Sequence, residues 1–187
     1  MLQQELLVRV IHALNAAGIE YMITGSIVSS LQGEPRSTHD VDIVVAIEEK
    51  GIQELVTRLS SPYFYLDQDS MLQAIRDKTM FSLIDTQSSL KIDFWILTKS
   101  PFDQSRFGRK ITEDLFGAKI NFSAPEDTIL MKLHWAEISG GSEKQFTDAL
   151  RVFEVQKEHL DLNYLEKWAA KLGITEIWNR LKLEAEI

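Results

Sequence analysis

Asp40-Val41-Asp42 sets two carboxylates two residues apart, and Asp93 adds a third on a later stretch of alternating apolar residues. Residues two apart in an extended strand share a face. Val41, Ile43, Val45 and Ile47 then fill a core side while Asp40 and Asp42 emerge together on the other. The same alternation gives Leu90, Ile92, Phe94 and Ile96 one face, and Asp93, Lys91 and Trp95 the opposite one. Neighbouring carboxylates repel, and strands normally avoid aspartate. A hard cation such as Mg2+ or Mn2+ relieves that repulsion by taking oxygen ligands from both. If the two strands are neighbours, the three acids could hold two ions roughly 3.5–4 Å apart, one activating an attacking oxygen and one clamping a triphosphate. A lone Asp-x-Asp reads more often as two surface acids. The third acid and the turn upstream favour the metal reading here.

That turn is Gly25-Ser26, where a short apolar strand passes into a short helix. Glycine permits close backbone approach, serine offers a cap and a hydroxyl, and N–H groups at a helix start face an anion. Gly-Ser alone is a weak signal, since most copies are turns or caps. In the following loop, Arg36 could grip a phosphate or pair with Glu34. His39 precedes the acids and could touch substrate, although a surface or capping histidine is the commoner case. His12, His134 and His159 lack metal-ligand spacing.

The elements that must position these residues follow from periodicity. Residues 3–17 repeat apolar residues at helical spacing and stop at Gly18. Strands are expected at 20–24, 41–47, 80–85 and 90–97, with helices at 27–31, 48–59 and 70–78. Segments 107–115 and 118–122 flank Phe116-Gly117 as a hairpin. After Pro125 only helices are expected, at 126–138, 143–156, 161–172 and 174–184. The order implies an α+β chain: a catalytic region at 1–122 with a small mixed sheet and flanking helices, then a helical C-terminal region at 123–187 packed on it. Trp135, Trp168 and Trp178 lie in amphipathic helices and read as core. Trp95 shares the Asp93 face, where it could stack on a base or cover the sheet.

The run from Ile23 to Val45, Ile-Thr-Gly-Ser-Ile-Val-Ser-Ser-Leu-Gln-Gly-Glu-Pro-Arg-Ser-Thr-His-Asp-Val-Asp-Ile-Val-Val, resembles the signature of the polymerase-β-like nucleotidyltransferase superfamily. More narrowly it looks like the AbiEii/AbiGii-type branch, which includes toxins of toxin–antitoxin and phage-defence systems. That resemblance implies the nucleotidyltransferase fold and transfer of a nucleoside monophosphate from an NTP (ATP among them), releasing pyrophosphate. It carries over Gly25 and Ser26 to the phosphates, and Asp40, Asp42 and Asp93 to metal binding and catalysis. The stretch Lys144-Gln-Phe-Thr-Asp-Ala-Leu is similar to a Lys-Asp-x-x-Asp helix whose lysine approaches the nucleotide phosphates, but Gln145 stands where an acid is common. Lys144 and Asp148 could instead be an ordinary i, i+4 surface pair. Lys132 is a second candidate phosphate ligand.

Composition bounds the rest. The chain has 187 residues, no cysteine and a formal net charge of −8. Thiolate metal sites and disulfides are excluded. The acidic balance argues against broad adhesion to nucleic acid or anionic membrane, without excluding a nucleotide held through divalent ions. No apolar run approaches the roughly 20 residues of a membrane span, and the N-terminus lacks signal-peptide features, so a cytoplasmic location is expected. The acceptor expected from these residues is a tRNA, a protein or a small molecule, and a cognate partner protein would accompany a toxin–antitoxin role. The competing expectation is a nucleotide-binding regulatory or antitoxin-like partner with little or no chemistry. The presence of all three acids favours the enzyme.

Overall fold

The computed structural model describes residues 2–185. They divide into two compact units, one of residues 2–24 and 38–122, the other of residues 25–37 and 123–185. The expected regions 1–122 and 123–187 differ from this division in one place. Residues 25–37, which carry the Gly-Ser turn, group with the C-terminal helices.

The first unit is built on a seven-stranded mixed sheet. In chain order its elements are α1 (Gln3–Ala16), β1 (Tyr21–Thr24), β2 (Asp40–Val45), α3 (Glu49–Arg58), β3 (Phe64–Tyr65), α4 (Gln68–Asp77), β4 (Met80–Asp85), β5 (Lys91–Ile96), α5 (Pro101–Gly108), β6 (Ile111–Leu115) and β7 (Ala118–Phe122); α2 belongs to the other unit. The strands lie in the order β3-β4-β5-β2-β1-β7-β6. β2 and β5 are parallel neighbours, with Asp40 opposite Lys91 and Asp42 opposite Asp93. β1 runs antiparallel to β2 and sets Thr24 opposite Asp42. β4 runs antiparallel to β5 and sets Ser82 opposite Asp93.

Alternation gives the central strands β2 and β5 one wholly apolar side and β4 a largely apolar one. Val41, Ile43 and Val45 are buried on β2, Ile92, Phe94 and Ile96 on β5, and Phe81 and Leu83 on β4. Phe81 stacks on Phe94 with ring centroids 4.8 Å apart. The other side of the sheet is divided along its strands. Toward one end Met22, Val44 and Phe107 form a small buried cluster on which Trp95 and Leu97 pack; toward the other lie Ser82, Lys91, Asp93, Asp40 and Asp42. Val44 is therefore buried although it shares the face of the acids.

α5 was not anticipated. An extended segment is expected over 107–115, but residues 101–108 are helical. Ser100 accepts the Asp103 N–H and Pro101 occupies the first turn, an arrangement that fixes a helix start locally. Phe107, on this helix, closes the apolar part of the acid-bearing face.

The second unit is helical: α2 (Gly25–Gln32), α6 (Pro125–Ile138), α7 (Glu143–Gln156), a 3-10 turn at Lys157–His159, α8 (Leu162–Lys171) and α9 (Thr175–Glu184). α6 is buried around much of its circumference, polar residues included. Asp127 is fully buried and accepts from the Tyr164 hydroxyl at 2.7 Å, while Glu126 accepts the Asp161 N–H at 3.0 Å. Gly33 ends α2 directly against the α7 backbone, where an added Cβ would lie 2.8 Å from Val152 N. Trp168 and Trp178 are buried as expected. Trp135, also expected in the core, is 39% exposed.

Candidate active site

In the first unit the expected carboxylates share one face of adjacent strands. Their register makes Asp42 and Asp93 lateral neighbours and leaves Asp40 one pleat away. Burial is graded: Asp40 is exposed, Asp42 half-buried and Asp93 buried. Each of the two inner acids has hydrogen-bonding partners. Asp93 accepts from the Ser82 hydroxyl at 2.6 Å and from the Lys91 ammonium at 2.8 Å, one on each oxygen. Asp42 accepts the Trp95 indole N–H at 3.0 Å. Trp95 thus packs on the apolar cluster and holds an acid as well.

Among the described residues, no three His, Asp or Glu side chains group closely enough to hold a metal ion. Lys91, Ser82 and Trp95 engage oxygens of the two inner acids. By donor chemistry the residues still fit a hard divalent ion, which takes oxygen ligands alone. Lys91 reports the field that such an ion would meet. Its ammonium is held above the usual lysine range by the hydrogen bond to Asp93, against partial burial, with further attraction from Asp93, Asp40 and Asp42.

The second unit holds a group of opposite sign. Gly25 opens α2 at φ 73°, a left-handed conformation that strains any residue with a Cβ. Ser26 follows in the first turn. Its hydroxyl accepts from Arg36 Nη2 at 2.8 Å and from Lys132 Nζ at 3.1 Å. Both cations also converge on Asp148. Arg36 binds it in bidentate fashion, Nε at 2.8 Å and Nη2 at 2.7 Å, and Lys132 Nζ lies 2.8 Å from Oδ2. Burial pushes the Asp148 carboxyl up, but the hydrogen bonds from Arg36 and Lys132 outweigh it and hold it below the usual range. The Asp148 bond likewise raises Arg36. Two cations against one carboxylate leave an excess positive charge around a serine hydroxyl at a helix start, an arrangement suited to phosphate.

Of the expected phosphate ligands, Gly25, Ser26, Arg36 and Lys132 thus belong to one group. Lys144 does not; it is exposed on α7. The Lys144–Asp148 surface pair is replaced by a buried Lys132–Asp148 pair, and the Arg36–Glu34 alternative by Arg36–Asp148, Glu34 instead meeting Arg151 at 3.1 Å. His39 is exposed. Ser82 and Asp148 join the two groups without having stood out in the sequence. Ser82 was marked only by its place between Phe81 and Leu83, which alternation turns toward Asp93. Asp148 offered only its spacing in the Lys144 helix.

Comparison with known proteins agrees with this architecture. No family model matches the chain, and no curated protein does. Solved structures do match. The structure of ANT(2'')-Ia in complex with adenylyl-2''-tobramycin aligns with TM-score 0.59 at 13% identity, covering 91% of this chain and 97% of that one. A solution structure of the antibiotic-resistance factor ANT(2'')-Ia aligns with TM-score 0.54 at 14% identity, covering 90% and 94%. JHP933 from Helicobacter pylori aligns with TM-score 0.52 at 15% identity, covering 97% and 80%. The chain has a nucleotidyltransferase fold. At these identities the likeness is one of fold.

Proposed function

We propose that this protein is a metal-dependent nucleotidyltransferase that moves a nucleoside monophosphate from an NTP to an acceptor hydroxyl. The observation that carries the reading is the register of β2 and β5, which sets Asp42 beside Asp93 and Asp40 on the same face in a nucleotidyltransferase fold. Asp40, Asp42 and Asp93 would hold magnesium or manganese, which when bound neutralises the triphosphate and polarises the attacking oxygen. Ser26, Arg36 and Lys132 orient the outer phosphates, with the two cations offsetting charge as pyrophosphate departs. Asp93, already held by Ser82, is the base for the acceptor proton. In the transfer the acceptor oxygen bonds to the α-phosphorus, the bond from that phosphorus to the bridging oxygen breaks, and pyrophosphate leaves with its electron pair.

The acceptor class is RNA, protein or a small molecule. ANT(2'')-Ia, structurally similar at low identity, is described in complex with an adenylylated aminoglycoside. The resemblance of residues 23–45 to the AbiEii type instead suggests a toxin–antitoxin setting with a partner protein. One experiment addresses activity and acceptor together. The protein is incubated with each labelled NTP, magnesium and cell extract, and the products are separated into RNA, protein and small-molecule fractions. Label should enter one fraction and fall by about 10²–10³-fold in Asp42→Ala and Asp93→Ala. Absence of NTP binding by calorimetry at millimolar magnesium would overturn the reading.

A further inference from the structure

The proposed carboxylate site already contains a cation. Lys91 lies beside Asp40 in the strand register, on the face of Asp42 and Asp93, and its ammonium sits 2.8 Å from Asp93 Oδ2. Ser82 occupies the other Asp93 oxygen at 2.6 Å. We propose that Lys91 is a resident counter-ion that offsets part of the acids' charge in the resting protein and is displaced when a divalent ion binds. This rests on the metal-dependent reading of the same residues.

The geometry supports displacement over coexistence. An inner-sphere divalent ion approaches a carboxylate oxygen to about 2.1 Å, closer than the ammonium does, and so takes the oxygen that Lys91 holds. Like charges that close repel. The side chain has somewhere to go, because Lys91 is 38% exposed and its flexible stem reaches solvent. Only the cation of the pair keeps contact with water, Asp93 being 10% exposed, so the ammonium can leave while the carboxylate stays in place. Selectivity follows from charge. A monovalent ion that expelled the ammonium would leave the group's charge unchanged, whereas a divalent ion lowers the repulsion among three carboxylates. Lys91 therefore sets a threshold for metal binding that ordinary monovalent ions do not cross.

The test is Mn2+ binding without nucleotide, read from the free-ion electron paramagnetic resonance signal, for wild type, Lys91→Met, Lys91→Arg and Asp42→Ala. Lys91→Met should bind about tenfold more tightly than wild type, Lys91→Arg should stay close to wild type, and Asp42→Ala should lose the site. Thermal melts add a second readout: in chelator Lys91→Met should melt below wild type, and saturating Mn2+ should raise its Tm by more. Lys91→Gln serves as a second neutral variant should the methionine protein not fold. Equal or weaker affinity in the neutral variants, with binding still lost in Asp42→Ala, overturns the role of Lys91 and leaves the metal site standing. No saturable Mn2+ binding in either wild type or the neutral variants overturns both.

Discussion

The two charged groups of this protein are mirror images in sign, and they differ in how far their lysines are withdrawn from water. On the sheet, three carboxylates face one lysine, and that lysine is 38% exposed. Among the helices, an arginine and a lysine face one aspartate, and the Lys132 and Asp148 side chains are 5% and 9% exposed. A pair whose cation stays in contact with water can exchange that cation at lower cost than a pair buried at both ends. A buried one is costly to break, because losing one partner strands the other away from water. The first arrangement suits a site whose charge must change when a ligand arrives. The second suits a fixed frame that holds donors in place before it does.

The sharpest way to break this contrast is Asp148→Ala. It leaves Lys132 buried without its carboxylate and should cost about 3–5 kcal/mol in urea unfolding, with Asp148→Asn losing less. A change near zero would mean that the helical group is as exchangeable as the one on the sheet.

The pH dependence sharpens the comparison with a smaller effect. Asp148 is lowered from 3.8 by its two cations, so its stabilisation is complete above that pH and is lost as pH falls through the lower folded value. Lys91 is raised from 10.5, so its contribution is complete below that pH and is lost as pH rises through the higher folded value. The stability gap between wild type and Asp148→Ala, followed by urea unfolding across pH, should therefore close on the acid side and persist at neutral and moderately alkaline pH.

The smallest effect should come from Trp95→Phe. The ring keeps its place on Met22, Val44 and Phe107, but Asp42 loses the indole N–H. Transfer should fall by about tenfold, with Tm nearly unchanged. A loss as deep as that of Asp42→Ala would show that the indole does more than orient one carboxylate.

Much of the sheet was legible because alternation is a local signal. Val41, Ile43 and Val45 against Asp40 and Asp42 gave the face of the acids, and Met80–Asp85 emerged as β4 with the expected bounds. The four C-terminal helices were equally plain from their apolar spacing. Register within the β4–β5 hairpin, however, is not written in alternation, so the place of Ser82 between Phe81 and Leu83 gave its face but not its meeting with Asp93. Asp148 was obscure for another reason: its partners Arg36 and Lys132 are far away in sequence. β3 is two residues long, too short for any periodicity, and α5 rests on a cap and one proline rather than on a long apolar stripe. Trp135 failed as a core prediction because an aromatic residue at helical spacing does not reveal which flank of its helix is covered.

The pairing of β2 with β5 also sets what this scaffold tolerates. The hairpin joining β4 to β5 could lengthen without moving Asp93 from its place beside Asp42. A single residue inserted inside β5 ahead of Asp93 would reverse the pleat and drive the carboxylate toward the layer of Ile92 and Phe94. Anyone re-engineering this sheet has latitude in the connections and almost none along the strands.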